Sequence, residues 1–255
     1  MPDIDRKAIA KRALPLLDLT NLNDDCTEAD IDTLCDKALT PHGAVAAVCI
    51  WPRFVAQARE KLRGTPVRIA TVVNFPDGGT DVDAAVAEAR EAAFDGAHEV
   101  DLVFPYRAFA AGEQIAAIGM ITAVRHGLPD TVKLKVILET GELKVPELIR
   151  IASVKAIQAG ADFIKTSTGK VKVNATEQAA HIMIEAIHEG GKPVGFKAAG
   201  GIRTTEDAAH YLSIADSIMG DNWAGPETFR FGASGLLADL LAALDGGTAG
   251  PSGGY

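Results

Sequence analysis

The sequence predicts an α/β chain folded as a single-domain (β/α)8 TIM barrel, on three observations. Eight short apolar runs are spaced along the chain, and each is followed by a longer segment with helical spacing. The runs are near-continuously apolar rather than alternating, as expected of parallel strands buried on both faces. No Pro/Ser linker or shift in composition divides residues 14–245, and 255 residues is the usual size of such a barrel. A doubly wound open sheet is the competing topology, but no GxGxxG follows the first run to favour it.

The elements follow in order. The first run is LPLLDLT (14–20). Thr27 then opens a helix over EADIDTLCDKAL, with Asp30 three residues on; this is a capping box in which Asp replaces the usual Glu. The second run is AVAAVCI (44–50), and Pro52 sits near the next helix start, where a missing N–H is harmless. The third and fourth runs are VRIATVV (67–73) and HEVDLVF (98–104). The fifth, VKLKVIL (132–138), is followed by Pro146 at another helix start. The sixth and seventh are ADFIKTS (161–167) and PVGFKAA (193–199), and Thr204 with Asp207 then repeats the capping box. The eighth is FRFGAS (229–234). The single catalytic domain is expected over 1–255, with a flexible Gly-rich tail at 246–255. That tail reads on composition as a solvated end; the alternative is that Tyr255, an apolar-bodied group on a flexible tether, dips into a site.

Composition narrows the function classes. Apolar residues make up 47% of the chain, enough for a large core. A net charge of −9 argues against a nucleic-acid binder. Cys26, Cys35 and Cys49 have no CxxC spacing and read as free thiols in a reducing compartment. The start, MPDIDRKAIAKRAL, lacks the apolar core of a signal peptide, and no apolar run approaches a membrane span. The expectation is a cytoplasmic protein with no membrane or nucleic-acid partner.

In barrels of this kind the chemistry sits at the C-terminal ends of the strands. The polar groups there are Asp18 and Thr20, Cys49, Asn74, Asp101, Glu139, Lys165 and Lys197. One strand-end lysine reads as a solvated rim residue or the partner of a structural acid. Two lysines and an aspartate inside apolar runs are hard to explain as packing, because buried charge is costly unless paired. Their cost suggests a use. Two ammonium groups about 6 Å apart, at an effective dielectric near 20, repel by about 3 kcal/mol, or roughly two pH units. Burial pushes the same way. One lysine then becomes a neutral nucleophile able to form a Schiff base. Asp101 holds Lys197 protonated, so Lys165 is the one that loses its proton.

The six histidines form no HxH or HExxH pair, so no metal site is expected. The loops after the last two runs, AAGGIRTTED (198–207) and FGASGLL (231–237), stand where such barrels bind phosphate. Gly200, Gly201, Gly232 and Ser234 let backbone N–H groups approach an anion, and Lys170 after Gly169 adds charge. Arg203 is either a phosphate ligand or an exposed residue at a helix start.

With these residues in view, EVDLVFPYR, LKVILETGEL, GADFIKTSTGK, VGFKAAGGIRT and FRFGAS resemble deoxyribose-phosphate aldolase, as do LDLTNLNDDCT and AVCIWPRF. The likeness runs in order from about residue 14 to 245 and includes Tyr255. It implies a barrel that reversibly cleaves 2-deoxy-D-ribose 5-phosphate to D-glyceraldehyde 3-phosphate and acetaldehyde in deoxyribonucleoside catabolism. It also implies that no metal or organic cofactor is used, and that the chain is a homodimer or larger assembly. By the same resemblance Lys165 is the Schiff-base lysine, Lys197 lowers its pKa and Asp101 shuttles protons. Phosphate contacts fall to Gly169, Lys170, Gly200, Gly201, Arg203, Gly232 and Ser234. Asp18, Thr20, Cys49 and Thr168 line the sugar pocket, and Tyr255 assists proton transfer. Two positions depart from relatives: Ala198 where proline is common, expected to alter loop stiffness, and Gly235 where a second serine is common. The rival readings are a barrel isomerase or metal-assisted aldolase for another sugar phosphate, and a non-catalytic sugar-phosphate binder.

Overall fold

The computed structural model describes residues 5–247. Eight parallel strands form a closed barrel: β1 (Leu17–Asn21), β2 (Ala47–Ile50), β3 (Arg68–Val73), β4 (Glu99–Val103), β5 (Lys133–Ile137), β6 (Phe163–Lys165), β7 (Gly195–Ala199) and β8 (Phe229–Ala233). Each pairs with the next, and β8 closes on β1. Each expected run therefore supplies one strand. Three edges differ. Pro15 cannot donate to a sheet, and Leu14–Leu16 forms a 3₁₀ turn before β1. Gly43–Ala44 pairs instead with Leu39–Thr40 in a small antiparallel hairpin, so β2 begins at Ala47. β6 stops at Lys165, where the chain is drawn off by bonds from Thr168 to Glu139.

The principal helices are α1 (Arg6–Ala13), α2 (Glu28–Lys37), α3 (Val55–Lys61), α4 (Val82–Phe94), α5 (Gln114–Gly127), α6 (Pro146–Gln158), α7 (Glu177–Gly190), α8 (Thr205–Met219) and α9 (Leu236–Leu244). Both expected capping boxes form. Thr27 and Asp30 exchange bonds of 2.9 and 3.3 Å, and Thr204 and Asp207 bonds of 2.9 and 3.1 Å. Losing such a cap costs about 1 kcal/mol. Along α4, Ala85, Ala89 and Ala92 are buried on one face, and their small side chains let the helix lie close to its neighbours. Before the barrel, α1 is tied to α9 by Arg6–Asp239 (3.0 Å) and to α8 by Arg12–Asp216 (2.8 Å). No helix among the described residues is long and apolar enough to cross a membrane.

Strand register prepares the site. Asp101 lies beside Lys135, Lys165 beside Lys197, and Lys197 beside Arg230. Neighbouring strands thus carry charge at matching heights. Beside these charges, Ala47, Cys49, Ala70 and Val72 form a small apolar cluster with Leu22. Ala198 is a buried residue inside β7, paired with Phe231. The expectation that it tunes loop stiffness is corrected: the position belongs to the ladder.

Candidate active site

One carboxylate organises the three residues singled out above. Asp101 Oδ2 lies 2.8 Å from Lys165 Nζ and 2.8 Å from Lys197 Nζ. The two nitrogens are therefore no farther apart than twice that distance. Asp101 itself is fully buried.

Four further charged groups, three of them new, surround this pair. Lys135 Nζ donates to Asp101 Oδ1 at 2.8 Å and contacts Glu99 at 2.5 Å. Lys197 also donates to Asp18 Oδ2 at 2.6 Å. Arg230 bridges Asp18 Oδ1 at 2.6 Å and Glu99 Oε1 at 2.8 Å. Lys135, Glu99 and Arg230 are not among the candidates drawn from the sequence. Each lies in one of the eight runs and is a charge in an apolar setting, which was the available signal.

The cluster holds three carboxylates (Asp18, Glu99, Asp101) against four basic groups (Lys135, Lys165, Lys197, Arg230). It is charge-balanced when one basic group is neutral. Burial lowers Lys165, Asp101 pulls it back up, Lys197 repels it, and the net direction is down. Burial also opposes the charge on Lys197, but Asp101 and Asp18 outweigh it and hold that ammonium well above the ordinary lysine range. Lys135 is likewise raised: burial is overcome by Asp101 and Glu99. The asymmetry has a simple source. Lys197 has two carboxylate oxygens within bonding distance, whereas Lys165 shares one. Burial acts on Lys165 more strongly than the repulsion emphasised from sequence. Burial pushes Asp101 upward too, but its three lysines hold it well below the usual carboxylate range. Of the three lysines only Lys165 has any exposure, 3%, so it is the amine a carbonyl can reach.

The other expected residues are distributed around this cluster. Asp18 has no exposure and spends its oxygens on Lys197 and Arg230. Cys49 is also fully buried, and burial raises its thiol pKa. Thr20 donates to the Asp18 carbonyl at 2.8 Å. Thr168 bonds to Glu139, which burial drives upward.

At the rim, Gly169, Gly200 and Gly201 all take positive φ (85°, 82° and 87°), which fits their being glycine. The loops after β6 and β7 meet each other and the end of β8: the Gly200 N–H donates to the Gly232 carbonyl at 3.3 Å, and a side chain at Gly200 would strike Asn174. Lys170 reaches Asp24 at 3.3 Å and lies 5.9 Å from the Trp51 ring. Arg203 is exposed, and its backbone N–H joins the α8 cap through Asp207. A Cβ at Gly232 would come within 2.9 Å of Lys197 Cε, so this glycine also makes room for a catalytic candidate. Ser234 and Gly235, ahead of α9, border a cavity of about 790 Å³ that also touches Thr20. Tyr255 lies outside the described residues. Asn74 braces the neighbouring loops, its side-chain amide donating to the Gly79 and Val103 carbonyls at 2.9 Å each.

Comparison with known proteins places this arrangement. The family described as DeoC/LacD family aldolase matches residues 12–242. A deoxyribose-phosphate aldolase of Agrobacterium fabrum is 60% identical over 239 residues, spanning 93% of this chain and 92% of the relative. The crystal structure of a putative deoxyribose-phosphate aldolase from Coccidioides immitis superposes with a TM-score of 0.79 at 31% identity, covering 90% of this chain and 85% of that one. The fold alone is shared with the tetrameric deoxyribose phosphate aldolase of Aeropyrum pernix, at 22% identity and a TM-score of 0.67 over 94% of this chain and 91% of that one.

Proposed function

The chain belongs to the DeoC/LacD family of aldolases, and from that membership we propose that it cleaves 2-deoxy-D-ribose 5-phosphate to D-glyceraldehyde 3-phosphate and acetaldehyde through a Schiff base on Lys165. The observation that carries the reading is the shared oxygen of Asp101, which leaves Lys197 charged and Lys165 able to lose its proton. A neutral amine in a water-poor barrel is a nucleophile for an aldehyde carbon.

The steps follow from these positions. Lys165 Nζ adds its lone pair to C1 of the open-chain sugar. Lys197 and Asp101 pass a proton to the carbinolamine oxygen, which leaves as water. The protonated imine then accepts the electron pair of the C2–C3 bond. The bond that breaks is C2–C3, because acetaldehyde carries C1 and C2. The C3 hydroxyl loses its proton and becomes the carbonyl of glyceraldehyde 3-phosphate. The enamine is protonated at C2, and water hydrolyses the imine to release acetaldehyde. Gly169, Lys170, Gly200, Gly201, Arg203, Gly232 and Ser234 are assigned to the phosphate end, and Thr20, Cys49 and Thr168 to the sugar pocket. Asp18 acts through Lys197. Tyr255 is assigned an assisting part in proton transfer.

By the same family reasoning the chain is a homo-oligomer acting in deoxyribonucleoside breakdown in the cytoplasm; light scattering on the purified protein checks the assembly. The chemical test is incubation with acetaldehyde and borohydride followed by peptide mapping. A reduced ethyl adduct on Lys165 is expected. No adduct, or one confined to other lysines, rejects the mechanism.

A further inference from the structure

The loops leaving β5 and β6 are laced together. The Leu138 N–H donates to the Lys165 carbonyl and the Thr140 N–H to the Thr166 carbonyl, both at 2.9 Å. A Cβ at Gly141 would sit 1.9 Å from the Val173 carbonyl oxygen, so the two segments touch backbone to backbone. Between these contacts stands Glu139. Its backbone is left-handed (φ 51°, ψ 58°), a conformation that costs a non-glycine residue about 1 kcal/mol. Its side chain is fully buried and makes no ion pair among the described residues.

What the carboxylate does hold is Thr168. The Thr168 N–H reaches Oε1 at 3.2 Å and Oε2 at 3.3 Å, and the Thr168 hydroxyl donates to Oε2 at 2.5 Å. Thr168 Oγ1 in turn accepts the Lys170 N–H at 3.0 Å. The line of bonds from Glu139 through Thr168 to Lys170 spans the turn at Gly169, whose φ is 85°. Lys165 starts the same loop but is bonded separately, through Asp101. A strained, buried carboxyl with no ion pair among the described residues is expensive to keep for packing alone.

We propose that Glu139 is a positioning residue for phosphate selectivity: it fixes the Thr168–Lys170 turn, and so the anion-facing edge of the site, separately from the imine lysine. The inference rests on the phosphate assignment above. Glu139→Gly removes the carboxylate while easing the left-handed backbone, so the fold is retained. Glu139→Gln keeps an oxygen that can accept from Thr168.

The readout is the ratio of kcat/KM for 2-deoxyribose 5-phosphate to that for unphosphorylated 2-deoxyribose. In Glu139→Gly the ratio falls about tenfold, chiefly through KM, as for one or two lost hydrogen bonds. Glu139→Gln restores most of it, and Thr168→Val reproduces the loss. Isothermal titration with inorganic phosphate shows the same order of weakening. An equal fall for both substrates, leaving the ratio unmoved, overturns the proposal and makes Glu139 a general brace. Borohydride trapping on the wild-type protein keeps the two readings apart: failure there removes the Schiff base, whereas failure of the ratio test removes only the role of Glu139.

Discussion

Replacing Lys197 by Met tests the electrostatics most sharply, because it removes one charge and little shape. Asp101 keeps Lys135 at 2.8 Å and Lys165 at 2.8 Å, and Asp18 keeps Arg230 at 2.6 Å, so neither acid is stranded. The variant is therefore expected to fold. In the wild type both amines bond to one oxygen. At a separation of about 5 Å and an effective dielectric near 20, their repulsion is about 3 kcal/mol, or roughly two pH units. Without Lys197 that repulsion vanishes, and Asp101 has one cation fewer to satisfy. Both changes raise the pKa of Lys165. The assay is the rate of acetaldehyde adduct formation on Lys165, trapped by borohydride, as a function of pH. The alkaline rise should move up by about two pH units, with a roughly hundredfold loss at neutral pH. A profile superimposable on the wild type would refute the reasoning, since burial alone would then set the pKa of Lys165.

Three further outcomes follow from the same cluster. Lys165→Met abolishes turnover but raises Tm by about 2–4 °C, because a buried amine that shares one carboxylate is traded for an apolar chain; calorimetry checks it, and a lower Tm contradicts it. Lys135→Met removes one charged donor but leaves Asp101 with Lys165 and Lys197 and Glu99 with Arg230, so denaturant unfolding should show a loss of about 2 kcal/mol together with an alkaline-shifted activity profile. Acid stability follows from Asp18, Glu99 and Asp101, whose folded pKa values all lie below their ordinary ones. Their contribution is complete above the unfolded carboxylate range and is lost as pH falls through the folded values. Stability should hold to about pH 5 and then drop steeply. Glu139, raised on folding, acts in the opposite sense: its contribution is lost as pH rises through its folded value.

Much of this was legible in the sequence, and the limit has a physical cause. The eight runs reported the strands because parallel strands are apolar on both faces. Lys165, Lys197 and Asp101 stood out as charges in those runs. The same feature hid their companions. Lys133 and Lys135 both lie in VKLKVIL, and no alternation says which one enters the barrel. That depends on register, which sets Lys135 beside Asp101 and is a tertiary fact. Asp18 was legible as polar but not as paired, because Arg230 lies 212 residues away. Glu139 was visible at a strand end, yet its partner Thr168 arrives from the next strand loop. The strand edge after Lys165 was set by hydrogen bonds that no run of residues displays.

The central claim is that Lys165 is the weakest base among the buried amines. Carbon-13 labelling at lysine Cε, followed by an NMR titration of the folded protein, addresses it directly. One resonance, absent from Lys165→Met, should titrate below the ordinary lysine value of about 10.4, while those of Lys135 and Lys197 titrate at higher pH. Should the Lys165 signal titrate at the ordinary value or above it, the amine would be an ammonium at neutral pH and the proposed chemistry would have no nucleophile.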